Sequence, residues 1–299
     1  MSKLRRKENI EGWIGISPWL IGFILFQLLP IGMSLYMSFT DWHITRGASW
    51  IGLENYKNMF HTQDFWISLR VTTVYSVMAV PLYLIAGLIL SLLLNVNTRW
   101  SHFFRTMYYM PSVISGVASA ILWIWLFNPE FGLINYFLRF LGIKGPRWLF
   151  DEKWALPAIV LMGLWGIGGN AIIYLAGLRN IPSVLYEAAE IDGANPIQCF
   201  FKITLPLLTP TIFFVLVTGI IGSFQVFTQA YLMTNGGPNK ATLFYILYLY
   251  NEAFRGQRMG YGSALAWFLA LIILTLTLLV FKSSPLWVYY EGERRGEAR

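Results

Sequence analysis

The sequence is short of the residues that redox and metal chemistry need. Its single cysteine, Cys199, cannot close an internal disulfide, and His43, His61 and His102 are scattered without metal-ligand spacing. No metal site is expected. No Gly-x-x-x-x-Gly-Lys-Ser/Thr phosphate loop occurs, so the chain lacks that means of holding a nucleotide. Charge is scarce as well: 12% of the 299 residues are Asp, Glu, Lys or Arg, against roughly 25% in an ordinary soluble domain. The net charge of +7 is spread over loops and forms neither a dense patch nor a stripe interleaved with aromatics, so no nucleic-acid partner is indicated.

What fills the chain is apolar: 56% of residues are hydrophobic and 17% aromatic. A bilayer-crossing helix needs about 20 apolar residues, and six runs qualify. They are Trp13–Phe39, Val71–Val96, Met107–Phe127, Trp154–Leu178, Leu205–Met233 and Tyr261–Phe281. Unpaired backbone groups in lipid cost too much for anything but helices or a barrel, and the alternating pattern of a barrel is missing. The expectation is an all-α polytopic membrane protein with about six transmembrane helices. Many Trp and Tyr, among them Trp13, Trp42, Trp100 and Trp148, stand at run ends, where headgroup-seeking rings belong.

The first run is too long for the apolar part of a signal peptide and has no small-residue cleavage pattern, so it reads as a retained anchor. Lys3, Arg5, Arg6 and Lys7 precede it and place the N-terminus in the cytoplasm. Six spans then return the C-terminus to the same side. The expected organisation is a cytoplasmic tail at 1–12, an anchor at 13–39, a five-helix core at 71–281 containing a cytoplasmic loop at 179–206, and a cytoplasmic tail at 282–299. Residues Leu243–Phe254 are apolar but too short to cross, which suggests a helix lying in the interface.

None of the six runs contains Asp, Glu, Lys or Arg. Carriers driven by ion gradients usually keep ionisable groups near the midplane, and a membrane enzyme needs a nucleophile, paired carboxylates or a metal cluster. Both classes are disfavoured, although a stand-alone channel or secondary carrier for a neutral solute stays as the alternative. Inside the runs, Thr218, Gly222, Gln225 and Gln229 fall at helical intervals, as do Gly163, Gly166, Asn170, Tyr174 and Gly177, and Ser112, Ser115, Gly116 and Ser119. Small residues permit close helix packing, and amides bond across helices. The same amides beside a polar path suit a neutral, polyhydroxylated solute. The residues leave both readings open.

The loop from Arg179 to Pro206 is the least ordinary segment. Pro182 and Ser183 start a helix, Gly193 permits a left-handed stop, and Asn195 with Pro196 caps a second short helix. A helix-turn-helix elbow results. Glu187-Ala188-Ala189, then Gly193, then Ile203, then Leu205-Pro206 follow at the spacing of the EAA motif. The loop therefore resembles that of binding-protein-dependent ABC importer permeases. Glu187 to Ala194, Tyr174 to Leu178 and Gly236-Gly237-Pro238 are similar to the carbohydrate-uptake branch, and the likeness extends upstream to Gly52-Leu53-Glu54-Asn55-Tyr56 and Met110-Pro111.

The resemblance implies the type I importer permease fold in a cell inner membrane and a division of labour. Glu187, Ala188, Ala189, Gly193, Ile203, Leu205 and Pro206 would form the elbow that docks on a cytoplasmic ATPase. ATP and Mg would be bound by two ATP-binding cassette subunits, and this chain would bind no cofactor. A second homologous permease subunit would complete the pathway, and an external solute-binding protein would deliver a sugar or polyol. Asn170, Tyr174, Gly222, Gln225 and Gln229 are the candidate pathway residues.

Overall fold

The computed structural model describes residues 3–43, 47–96 and 98–289, which form fourteen α-helices and isolated bridges but no strand. The first three helices are α1 (Lys3–Phe23), α2 (Leu29–Ser38) and α3 (Glu54–His61). Next come the long α4 (Gln63–Leu94), then α5 (Ser101–Val113), α6 (Gly116–Leu126) and the short α7 (Leu133–Phe140). After these follow α8 (Glu152–Leu164), α9 (Gly168–Arg179), α10 (Ser183–Ile191) and α11 (Pro196–Cys199). The chain closes with α12 (Leu205–Phe224), α13 (Tyr245–Tyr250) and α14 (Met259–Trp287).

Four stretches are long and apolar enough to cross a bilayer unaided: Glu11–Ser38, Gln63–Leu94, Pro196–Phe224 and Met259–Trp287. The pairs α5 with α6 and α8 with α9 pass the same test together, bent by 97° and 46°, which makes six spans when each pair is one. The protein is an all-α, multi-pass membrane protein. Its second span begins earlier than the apolar run does, at Gln63 and not at Val71. Helix geometry needs no apolar residue, only uninterrupted backbone bonding, so a polar first turn extends the helix past the hydropathy signal.

Proline and serine decide where the spans bend. A π turn at Ile24–Leu28 stands two residues before Pro30, and another at Phe200–Thr204 stands two before Pro206. Proline lacks an N–H and crowds the carbonyl four residues back, and a widened turn accommodates both defects. In the third span, Ile114 and Ser115 leave the helical region, and the Ser115 hydroxyl accepts a hydrogen bond from the Ala118 N–H at 3.3 Å. Ser115 is thus a cap. The expected continuous stripe of Ser112, Ser115, Gly116 and Ser119 is broken at that point, with Ser112 exposed and Ser119 buried.

The chain divides into two compact units. One comprises Met1–Gln63 and Leu249–Leu271. Within it the Gly-Leu-Glu-Asn-Tyr motif is a structural clasp: Gly52 takes φ +61°, buried Asn55 donates to the Ser38 and Thr40 carbonyls at 2.9 Å each, and Tyr56 donates to the Ser38 hydroxyl at 2.9 Å. The other comprises Asp64–Tyr248 and Ile272–Arg299. Residues 249–271 thus group with the first 63. Of the expected terminal tails, α14 carries 282–287 in helix, and residues 290–299 lie outside the described residues.

Glycine sets the close packing of the second unit. A Cβ on Gly168 would stand 2.0 Å from the Tyr108 carbonyl oxygen, and one on Gly177 would stand 2.5 Å from the Thr211 hydroxyl. Helix α9 can approach α5 and α12 so nearly only without those side chains. The segment expected in the membrane interface is instead core: Phe244, Tyr245 and Leu247 are fully buried, and the Tyr245 N–H donates to the Thr72 hydroxyl of α4 at 2.9 Å. Aromatic faces against α4, including Phe244 on Tyr75 with centroids at 5.0 Å, outcompete lipid for this helix. Trp148 likewise is buried, with its indole N–H on the Asn135 carboxamide at 2.7 Å, and not a headgroup ring.

Candidate coupling elbow and pathway cavity

The two turns of the elbow are closed by local hydrogen bonds. Helix α10 stops through Gly193 at φ +79°, with the Gly193 N–H donating to the Glu190 carbonyl at 3.0 Å and the Ala194 N–H to the Ala189 carbonyl at 2.9 Å. These are the two bonds of a Schellman stop, which requires the left-handed residue that glycine supplies. Asn195 and Gln198 then cap α11 reciprocally at 2.9 Å each. A side-chain strut from Tyr186 to the buried Thr204 hydroxyl, 2.8 Å long, ties α10 to the chain re-entering α12.

This frame fixes where each motif residue stands. Glu187, Ala188 and Gly193 are exposed, Ala189 is half-buried, and Ile203, Leu205 and Pro206 are half-buried where the chain passes through the π turn into α12. Sequence reasoning missed the most prominent side chains of the elbow. Ile191 is 88% exposed and Ile197 69%, one on each side of the Gly193 turn, with Val184 and Phe201 also exposed. Their signal was an isoleucine immediately before the turn and another just after the cap, positions where polar residues would satisfy a solvated loop equally well. Exposed apolar side chains interspersed with Glu187, Glu190 and Asp192 have the composition of surfaces that meet other proteins.

The second unit holds a cavity of about 310 Å³. Tyr75, Tyr83, Asn170, Ser223 and Gln229 give it polar walls, and Gly163, Gly219 and Gly222 are among its lining residues. Ser223 is committed to Ser76 at 2.7 Å, and the Tyr83 hydroxyl donates to the Val160 carbonyl at 2.8 Å. The amides of Asn170 and Gln229 have no protein hydrogen-bond partner among the described residues. Amides that face space without a partner are placed to bind a polar solute or water.

The five candidate pathway residues therefore separate. Asn170, Gly222 and Gln229 line the cavity together. Gln225 is not among the residues that line it: α12 ends at Phe224, and Gln225 leaves the helix at φ −108° and ψ 21°. Tyr174 is 1% exposed and packs with Leu178, Leu208 and Val215, so the structure puts it in the core. Among the flanking glycines, Gly163 makes room for Tyr83, whose hydroxyl would stand 1.9 Å from an added Cβ, whereas a Cβ on Gly222 would meet nothing within 4 Å. One glycine is packing and the other is open space. The tyrosines Tyr75 and Tyr83 were legible only as aromatic residues within a span, with nothing to show that they share a wall with Asn170.

The family model for the inner membrane component of binding-protein-dependent transport systems matches residues 65–283. The probable ABC transporter permease protein YesP of Bacillus subtilis (strain 168) is 44% identical over 297 residues, covering 98% of this chain and 96% of that one. The lactose transport system permease protein LacF of Rhizobium radiobacter is 35% identical over 289 residues, covering 94% and 96%. Among solved structures, a chain of the bacterial alginate ABC transporter, in complex with an alginate pentasaccharide-bound periplasmic protein, superposes with TM-score 0.83 at 25% identity, over 93% of this chain and 95% of that one. Likeness this extensive in both sequence and fold shows that the protein belongs to the family of binding-protein-dependent transport system inner membrane components.

Proposed function

We propose that the chain is one permease half of an ATP-driven saccharide importer of the cell inner membrane, with its termini in the cytoplasm. Its elbow receives the stroke of a separate ATPase. The observation that carries the reading is the exposure of Ile191 and Ile197, together with Glu187, on a frame capped on both sides of the Gly193 turn. A surface of this kind suits a cleft in another protein, and the capped frame lets a movement of that protein reach α12. ATP and Mg are then bound by two ATP-binding cassette subunits and not by this chain. Glu187 contacts a basic group of the ATPase, Ala188 and Ala189 permit close approach, and Gly193 with Ile203, Leu205 and Pro206 sets the path back into the membrane.

Two further partners follow from the same reading. The span Glu11–Ser38 has none of its apolar window buried, which leaves most of its surface for lipid and for a second, homologous permease subunit. The solved relative with a saccharide-bound periplasmic protein supports delivery by an external binding protein. The cavity walls carry no charged side chain, which favours a neutral sugar or polyol over an anionic one, for which Arg or Lys would be expected.

The pathway assignment rests on Asn170 and Gln229, with Gly222 giving access and Gln225 and Tyr174 outside it. In the reconstituted complex, Asn170→Leu or Gln229→Leu is expected to change the ranking of transported sugars, by roughly 10- to 100-fold in relative uptake, since each removes a site for a sugar hydroxyl. Gln225→Ala is expected to leave the ranking unchanged. Uniform loss of uptake together with failed assembly would identify the two amides as packing groups.

A further inference from the structure

Apolar exposure along the spans is explained by the bilayer, but α7 lies outside every candidate span and still exposes large apolar side chains. Its inner face is pinned. Asn135, 4% exposed, donates to the carbonyls of Pro129 and Pro146 at 3.1 Å each and accepts from the Trp148 indole at 2.7 Å, while Ile134 and Leu138 pack on the cluster containing Phe127, Trp148 and Leu149. A Cβ on Gly145 would stand 2.0 Å from the Asn135 carboxamide oxygen, so the return loop is also fitted to this hub. The helix cannot roll to hide its other side.

That other side is a regular stripe. Leu133, Tyr136, Phe137, Phe140 and Leu141 recur at intervals of three, one, three and one, and are 40%, 59%, 62%, 84% and 69% exposed. Arg139, Lys144 and Arg147 border it, all exposed and in no ion pair among the described residues. Glu130 is the only acid between Asn128 and Phe150, so the segment carries a positive excess. An aromatic stripe edged by cations without acidic partners matches a bilayer surface, where rings sit at headgroup depth and basic side chains meet phosphates.

We infer that α7 is a fixed interfacial helix, its stripe sunk in the membrane surface and Arg139, Lys144 and Arg147 on anionic phospholipid headgroups. The inference is independent of what the protein transports. It returns to α7 the interfacial role that hydropathy alone suggests for residues 243–254. A pinned helix at that depth holds the loop joining α6 to α8 at one height above the bilayer.

The test is depth measurement on the full chain in lipid nanodiscs. A nitroxide is placed at Phe140→Cys on a Cys199→Ser background, and collisions with oxygen are compared with those of a water-soluble nickel chelate. In phosphatidylglycerol bilayers the label is expected to favour oxygen, as a membrane-buried site does. Lys144→Glu with Arg147→Glu, or bilayers of phosphatidylcholine alone, are expected to increase nickel access by about fivefold for each cation no longer held by an anionic headgroup. A label freely accessible to nickel in both lipids would overturn the inference. Equal depth in the two lipids would overturn the assignment of the cations to anionic headgroups, and protection arising only when a solute-binding protein is added would assign the stripe to a protein.

Discussion

Gly193→Pro is expected to reduce substrate-stimulated ATP hydrolysis of the assembled transporter about a hundredfold, to its basal rate, while the chain still inserts in the membrane. Proline fixes φ near −65°, whereas Gly193 sits at +79° and uses its N–H to close α10 on the Glu190 carbonyl. Substituting it removes both, at a cost of roughly 3 kcal/mol, and that cost converts to about a hundredfold if it is borne by docking. The elbow would re-form in another shape, with Ile191 and Ile197 no longer in their present positions. Because a local defect of that size can spread into α12, Glu187→Lys supplies the second arm: Glu187 is exposed on the second turn of α10, so its reversal changes charge and not fold. Retained stimulation in both variants would detach the elbow from coupling.

Gly222→Phe is expected to lower uptake of every substrate by roughly 10- to 200-fold, the range that misfit in a binding site commonly spans, with the complex still assembling. A side chain there starts from open space, since nothing lies within 4 Å of the Cβ position, and it grows toward the cavity bounded by Asn170 and Gln229. Gly163→Phe makes the opposite case. It would drive into the Tyr83 hydroxyl and is expected to fail at folding, read as lost membrane yield. Normal uptake by Gly222→Phe would remove the cavity from the solute path.

Much of this fold was legible because the strongest signals act over long windows. Each of the six apolar runs is helical over most of its length, since no other backbone is tolerated in lipid, and the elbow followed from Pro182, Gly193, Asn195 and Pro196, whose backbone preferences are local. What escaped depended on single dihedrals or on tertiary neighbours. Hydropathy does not register that Ser115 would cap α6 across a 97° bend, or that α12 would end at Phe224 and leave Gln225 out of the cavity that Gln229 lines. Nor does it distinguish an aromatic segment in lipid from one against α4, the difference between the expected and observed positions of residues 243–254. The separation of Gly163 from Gly222 was illegible for the same reason: a glycine's role is set by what stands opposite it.

The direct test of force transfer at the elbow is photocrosslinking from Ile191→p-benzoylphenylalanine in intact membranes containing the assembled transporter. The account predicts one dominant protein adduct, identified by mass spectrometry as a cytoplasmic subunit bearing a nucleotide phosphate loop, with a yield that changes when ATP is bound. Adducts with lipid or with proteins of the cell exterior, and none with an ATPase, would contradict it.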